Sequence, residues 1–121
     1  MNNVNVQEKV EKYQMDKRNA VTTTQLRLLL SNAVIIKNKI QVEERKEKKN
    51  VISEKLENEI KYLLVKHIYQ CGREPKVKIF DKEFHISEKI KEVGNSAKKF
   101  NDFYRYLEEI VAYMKYYGFD R

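Results

Sequence analysis

The chain has 121 residues, with 25 Lys and Arg against 18 Asp and Glu, and its formal net charge is +7. This length fits one domain, and a hydrophobic content of 41% is sufficient for a core. Cys71 is the single cysteine, which excludes an internal disulfide. The absence of a long apolar run excludes a bilayer-spanning helix, so we expect a cytoplasmic protein without membrane contact.

The composition favours helices throughout the chain. Only three Gly and one Pro interrupt it, and Lys, Glu, Leu and Ile are abundant. These features predict an all-α fold, a compact bundle of about four to five helices in one domain. We assign residues 21–121 to this bundle. Residues 1–20 are polar with weak periodicity, and they form either a short docking helix or a disordered tail.

Two long amphipathic helices come first in the predicted bundle. One begins after the threonines at residues 22–24 and runs to about residue 42, and the other follows Ser53 and runs to Cys71. Each helix has a core-facing stripe and also a second apolar stripe. The second stripes are Leu28, Ile35 and Val42 on the first helix and Tyr62, Val65 and Tyr69 on the other. They are buried either inside a tight bundle or against another protein.

Shorter segments follow these two helices. Pro75 fits the first turn of a helix, and the spacing of the apolar residues as far as Phe84 favours a helix over a strand. Ser87 is expected to cap the next helix, which Gly94 ends.

The last helix is the most apolar one and is the expected packing centre of the domain. It begins after Ser96 and ends before Gly118. A stripe of tyrosines, which are Tyr106, Tyr113 and Tyr117, lies beside its apolar face. Tyrosine prefers sites where the ring is buried and the hydroxyl is hydrated. This stripe therefore either rims the core or contacts a partner.

Signals of catalysis or of metal binding are sparse. His67 and Cys71 lie one turn apart on one helix face, which is half of a metal site, but His85 is the only other histidine and no second cysteine exists. His67 lies within an apolar stripe, so we interpret it as a core histidine with a hydrogen-bond partner. Gly-rich phosphate loops, nucleophile elbows and HExxH motifs do not occur. We expect no enzyme activity, no catalytic residue, no metal and no cofactor.

The basic residues favour a polyanionic partner such as nucleic acid. Lys and Arg can contact phosphates and the eight tyrosines can stack on bases, which is the chemistry of sequence-tolerant RNA binding. Alternatively, the tyrosines rim the core and the lysines provide solubility. Seven cations lie near turns or on polar helix faces: Lys37, Lys39, Arg73, Lys98, Lys99, Arg105 and Lys115.

Three blocks of sequence carry a resemblance to a known family. They are residues 23–27 (TTQLR), residues 69–74 (YQCGRE) and residues 103–118 (FYRYLEEIVAYMKYYG). In order, spacing and C-terminal position they resemble the small helical subunit of type III-A CRISPR–Cas effector (Csm) complexes. Cys71 and Glu109 stand where this family is expected to have alanine.

The resemblance implies a compact all-α protein without catalytic activity. Such subunits stack head to tail in the inner filament of the complex and hold guide RNA and target RNA without sequence preference. The implied partners are guide RNA, target RNA, other CRISPR effector subunits and further copies of the chain. The candidate RNA contacts are Arg27, Lys37, Lys39, Arg73, Lys98, Lys99, Arg105 and Lys115. Only Arg27, Arg73, Arg105 and Lys115 lie in the matched blocks. The alternative function is a helical protein–protein adaptor with no RNA contact.

Overall fold

The described residues of the computed structural model, 5–15, 20–47 and 50–118, form six α-helices and no β-strand. The helices are α1 (Val6–Gln14), α2 (Arg27–Glu47), α3 (Glu54–Arg73), α4 (Pro75–Phe84), α5 (Ile86–Val93) and α6 (Ala97–Tyr116). The predicted all-α fold is confirmed, and the segment after Pro75 is helical. None of the helices in these ranges is long and apolar enough to cross a bilayer.

Helix α1 is the sixth helix of the described residues, one more than the four to five that the sequence predicts. It forms in the segment for which a docking helix and a disordered tail were both open, while residues 1–4 and 16–19 lie outside the described residues. Val10 and Tyr13 are buried, and the Tyr13 ring meets the ring of Phe84 edge to face at 5.3 Å. The Tyr13 hydroxyl accepts a hydrogen bond from the Val21 N–H at 2.8 Å. The division of the chain into an N-terminal segment, residues 1–20, and a bundle domain, residues 21–121, remains a prediction.

Two helices, α3 and α6, organise the bundle. Helix α3 packs against α2, α4 and α5, and α6 packs against α1, α2 and α5. The buried residues of α6 are Ala97, Phe100, Phe103, Leu107, Ile110 and Met114. Their spacing of three or four residues places them on one helical face. Helix α6 is therefore a packing centre, as predicted, and α3 is a second one.

Local hydrogen bonds set most helix ends where the sequence predicts them. The hydroxyl of Ser53 accepts from the Leu56 N–H at 3.2 Å, and the hydroxyl of Ser96 accepts from the Lys99 N–H at 3.1 Å. Gly118, at φ 83°, follows the end of α6 in a left-handed conformation that glycine adopts without steric cost. These capping predictions are confirmed.

The predicted cap at Ser87 is wrong. Helix α5 begins at Ile86, two residues earlier than a cap at Ser87 would place it, and its cap residue His85 has a left-handed conformation with φ 58°. The Ser87 N–H and hydroxyl both donate to the carboxylate of Asp81, at 2.7 and 2.8 Å. Ser87 therefore ties α5 to α4, because a carboxylate four residues before the turn competes successfully for its two donors.

The tyrosine stripe of α6 rims the core and connects α6 to its neighbours. The Tyr106 hydroxyl donates to the backbone carbonyl of Phe84 at 2.9 Å, and burial raises the pKa of Tyr106 to about 12. The Tyr117 hydroxyl accepts from the side-chain amide of Gln7 on α1 at 3.3 Å. Tyr113 is partly buried against the core. Of the two interpretations of this stripe, the structure therefore favours the core rim.

Truncating the core face of α6 should destabilise the whole bundle. Leu107 is fully buried, and we expect Leu107→Ala to lower the free energy of unfolding by about 2–5 kcal/mol in urea denaturation. Leu28→Ala is the matched control, because its side chain is exposed, and its cost should stay below about 1 kcal/mol. Equal costs for the two variants would contradict the assignment of α6 as a packing centre.

The Tyr106 hydroxyl should make stability depend on alkaline pH. At neutral pH, Tyr106→Phe should cost about 1 kcal/mol, because the hydrogen bond to Phe84 is lost. The folded pKa of about 12 exceeds the ordinary value of 10.0, so the unfolded chain releases this proton first and stability falls as pH rises through that range. The variant lacks this titration, so the stability advantage of the wild type over the variant should decrease steadily, and can reverse in sign, between pH 10 and 12.

Urea titrations at neutral and alkaline pH measure this stability difference. Tyr116→Phe is the control, because Tyr116 is 76% exposed on the same helix. A stability difference between wild type and Tyr106→Phe that stays constant, or a wild-type advantage that grows, as pH rises would show that the fold does not hold the phenol in its neutral form.

Candidate nucleic-acid interface

A groove of about 480 Å³ lies between the start of α2 and the second half of α6. We call it the α2–α6 groove. Its lining residues are Thr23, Thr24, Arg27, Leu30, Ser31, Val34, Tyr104, Val111 and Lys115. The first and third sequence blocks of the family resemblance supply residues to it, so two segments distant in the sequence form one surface.

Helical periodicity explains why these side chains share a surface. On α2, Arg27, Leu30 and Val34 follow one another at intervals of three and four residues, and on α6 Val111 and Lys115 are four apart. Such intervals place side chains on one helical face. The packing of α2 against α6 then sets the two faces side by side. The groove therefore has aliphatic walls with a cation from each helix.

The groove is positively charged, with an aromatic ring at its edge. The Lys37 ammonium lies 5.2 Å from the centroid of the Tyr104 ring, a cation–π distance. No carboxylate in the described ranges forms an ion pair with Arg27, Lys37 or Lys115. Burial and the nearby Glu108 carboxylate raise the pKa of Tyr104 above the ordinary phenol value of 10.0, which is already above physiological pH. Cations that are not neutralised, beside a neutral ring, suit a sugar–phosphate strand.

Of the eight predicted RNA contacts, Arg27 and Lys115 line this groove and Lys37 lies beside Tyr104 at its edge, and the structure does not bring the other five into it. Lys39 pairs with Glu59 across the boundary between α2 and α3 at 3.0 Å, and Lys98 pairs with Asp102 within α6 at 2.8 Å. Arg73 lies on the last turn of α3. Arg73 and Arg105 are both exposed to solvent. The role of each of the eight residues in RNA binding remains a prediction.

Lys99 lines a second groove, of about 390 Å³, between α5 and α6. The lining residues are Lys89, Glu92, Lys99, Asp102, Phe103 and Tyr106. Lys89, which the sequence analysis did not select, lies 4.6 Å from the centroid of the Tyr106 ring. The two lysines face two carboxylates in this groove, so its formal charge is balanced. The electrostatic attraction of this groove for a phosphate chain is therefore expected to be smaller than that of the α2–α6 groove.

A surface of exposed apolar side chains follows the boundary between α2 and α3. We call it the α2–α3 face, and it comprises Leu28, Ile35, Val42, Tyr62, Val65 and Tyr69, which are between 44% and 64% exposed. The ion pair of Lys39 with Glu59, together with the crevice that Leu28 shares with Gln70, shows that the two helices run antiparallel. The second stripe of each helix lies on its exposed side, and Leu28 brings the α2 stripe next to α3. The two stripes are not buried inside the bundle.

His67, Cys71 and Asp81 place three potential metal ligands close together. The His67 Nε2 atom is 2.9 Å from Asp81 Oδ1 and 3.7 Å from Cys71 Sγ. His67 is buried and hydrogen-bonded, which confirms its interpretation as a core histidine with a partner. The sequence analysis missed Asp81 because this residue comes from a different helix, and no local spacing relates it to His67.

The acid–base properties of this group follow from burial and hydrogen bonding. Burial alone would raise the pKa of Asp81, but hydrogen bonds from His67 and Ser87 outweigh it and hold the pKa below its ordinary value. Burial, and next the charge of Asp81, raise the pKa of the Cys71 thiol to about 11. This thiol is therefore protonated at neutral pH and is a poor nucleophile.

Comparison with known proteins finds a family match over residues 3–120, to the family described as Csm2 Type III-A. Three curated relatives carry the name CRISPR system Cms protein Csm2. The protein of Streptococcus thermophilus is 37% identical over 98 residues, which are 81% of this chain and 74% of the relative. That of Enterococcus italicus is 34% identical over 101 residues, 82% of this chain and 69% of the relative. That of Mycobacterium tuberculosis is 34% identical over 96 residues, which are 79% of this chain and 74% of the relative. The family agrees with the resemblance of the three sequence blocks.

Proposed function

The chain belongs to the type III-A Csm2 family, and on this premise we propose that it is a non-catalytic, RNA-binding scaffold subunit of a type III-A CRISPR–Cas interference complex in the cytoplasm. It stacks in the inner filament and holds guide RNA and target RNA without sequence preference. Base pairing with the guide selects the sequence, so the protein needs contacts only to the backbone and shape of the duplex. Its protein partners are other effector subunits and further copies of itself.

The observation that supports RNA binding is that Arg27 and Lys115 line the α2–α6 groove while Lys37 lies beside Tyr104 at its edge. Each side chain is without an ion-pair partner in the described residues, so each can contact a phosphate without first leaving a carboxylate. Tyr104 adds a ring on which a base can stack. Contacts of this kind hold a strand in place without reading its sequence.

The paired lysines are poorer candidates for a physical reason. The Lys39–Glu59 and Lys98–Asp102 pairs each have a net charge of zero, and their carboxylates repel an approaching phosphate. Both pairs are solvent-exposed, so their own stabilisation is small and the lysines remain available to water. Neutralising these lysines should therefore affect RNA binding less than neutralising the groove cations.

A pair of double variants tests the groove. Arg27→Ala/Lys115→Ala and Lys39→Ala/Lys98→Ala each remove two positive charges from a net charge of +7. The first variant should bind single-stranded RNA more weakly and reduce the slope of log K against log salt by about one per residue. The second should keep most of that slope. Fluorescence anisotropy with two RNAs of unrelated sequence, across a salt series, measures both quantities.

Three outcomes of that titration contradict parts of the proposal. Equal losses in both double variants would show that overall charge, not the groove, drives binding. An unchanged slope in the groove variant would exclude Arg27 and Lys115 as phosphate contacts. A wild-type chain that fails to bind RNA, both alone at low salt and within the complex, would favour the adaptor alternative.

The α2–α3 face supports both filament stacking and the alternative function, a helical adaptor that binds only protein. Six apolar side chains more than 40% exposed along one boundary form a surface of the kind that marks protein contacts. Stacking against other subunits would remove them from water. The adaptor function would use this face alone and leave the α2–α6 groove without a ligand.

A charge placed in this face should block assembly without unfolding the subunit. Ile35→Glu should lower incorporation into a complex reconstituted from the other effector subunits, as measured by native mass spectrometry. Its free energy of unfolding should change by no more than about 0.5 kcal/mol, because the side chain is half exposed. Ile79→Glu, at an exposed apolar residue on α4, is the matched control. Normal incorporation of Ile35→Glu would exclude this part of the face as a docking surface.

A further inference from the structure

His67, Cys71 and Asp81 bring a nitrogen, a sulfur and an oxygen together between α3 and α4, and all three ligand atoms lie within 4.8 Å of one another. We propose that these side chains bind one Zn²⁺ ion, with a solvent molecule as the fourth ligand. This site is separate from the α2–α6 groove and does not depend on RNA binding. The ion would join α3 to α4.

The two helices place the ligands in a geometry close to that of a zinc site. His67 and Cys71 are four residues apart and project from the same face of α3, and α4 packs against α3 and presents Asp81 to them. Tetrahedral zinc, with Zn–N near 2.0 Å and Zn–S near 2.3 Å, separates nitrogen from sulfur by about 3.5 Å. The observed separation is 3.7 Å.

The carboxylate requires a small displacement. Tetrahedral ligation separates a nitrogen and an oxygen ligand by about 3.3 Å, whereas His67 Nε2 and Asp81 Oδ1 are 2.9 Å apart because a proton joins them. An entering ion takes the place of that proton on Nε2, so the neutral imidazole carries its proton on Nδ1 instead, and the Cys71 thiol releases its proton to solvent. Asp81 moves away by about half an ångström. Rotation of one side chain provides this distance without a change in the helices.

Charge and outer hydrogen bonds favour a divalent ion here. A thiolate and a carboxylate together balance the charge of Zn²⁺, so the occupied site is neutral, as a partly buried site requires. Ser87 donates two hydrogen bonds to Asp81, at 2.7 and 2.8 Å, and these orient the carboxylate as outer partners orient metal ligands. A mixed nitrogen, sulfur and oxygen set selects zinc over calcium or magnesium, which prefer oxygen alone.

The site has a route from solvent. His67 is buried, but the Asp81 side chain is 17% exposed and Cys71 is only partly buried. An ion can therefore enter beside Asp81 and Cys71 and keep a water molecule on that side. Because the unfolded chain does not hold these three ligands together, zinc should stabilise the folded chain.

Cobalt and zinc binding to the metal-free full-length chain test the proposal. Co²⁺ should produce the near-ultraviolet absorption of a thiolate–cobalt bond, and equilibrium dialysis should give one Zn²⁺ per chain with a raised Tm. In Cys71→Ala the cobalt absorption should vanish, and zinc affinity should fall on the order of tenfold or more. His85→Ala is the matched control, because it removes the exposed histidine that faces Glu88 and should change neither readout.

Two results overturn the proposal. One is a wild-type chain without thiolate–cobalt absorption or without stoichiometric zinc, which would mean that His67 and Asp81 form only a structural hydrogen bond. The other is a folded Cys71→Ala variant, verified by circular dichroism, that binds zinc as tightly as wild type. The wild-type measurement decides the question even where the variant is unstable.

Discussion

Burial of one apolar face of α2 between α3 and α6 is the interaction on which the functional surfaces depend. Leu29, Ala33 and Ile36 fill the core from this helix. Once they are buried, the remaining faces of α2 cannot be hidden by the same bundle, because a helix presents each side chain in only one direction. One of these faces borders α6 and forms the α2–α6 groove, and another borders α3 and forms the α2–α3 face.

The same packing gives the surfaces different chemistry. Where α2 meets α6, Lys37 lies beside Tyr104 and has no carboxylate partner among the described residues. Where α2 meets α3, Lys39 pairs with Glu59, and the exposed side chains of the α2–α3 face are apolar. The proposed function uses both kinds of surface, one for a phosphate strand and one for protein. The division between them follows from which neighbour each face of α2 contacts.

Sequence periodicity was sufficient for the helices and for the caps at Ser53 and Ser96, because these features depend on residues within one turn. The cap predicted at Ser87 was wrong because the N–H and hydroxyl of Ser87 donate to Asp81. Asp81 lies on the preceding helix, so the sequence around Ser87 does not reveal this contact. The second apolar stripes of α2 and α3 are exposed in the six-helix bundle. This outcome agrees with the alternative that they contact another protein, and it excludes their burial inside the bundle. The packing of separate helices determines which cations lie close together, and it also places Asp81 beside His67. Residue spacing within one helix does not predict either arrangement.

Lysine footprinting of the isolated chain, with and without single-stranded RNA, tests the central claim most directly. Acetylation followed by mass spectrometry reports on each lysine of the chain in one experiment. If free cations at the α2–α6 groove hold the strand, RNA should protect Lys37 and Lys115 and leave the paired Lys39 and Lys98 reactive. Protection confined to Lys98 and Lys99, or spread evenly over all lysines, would contradict the account.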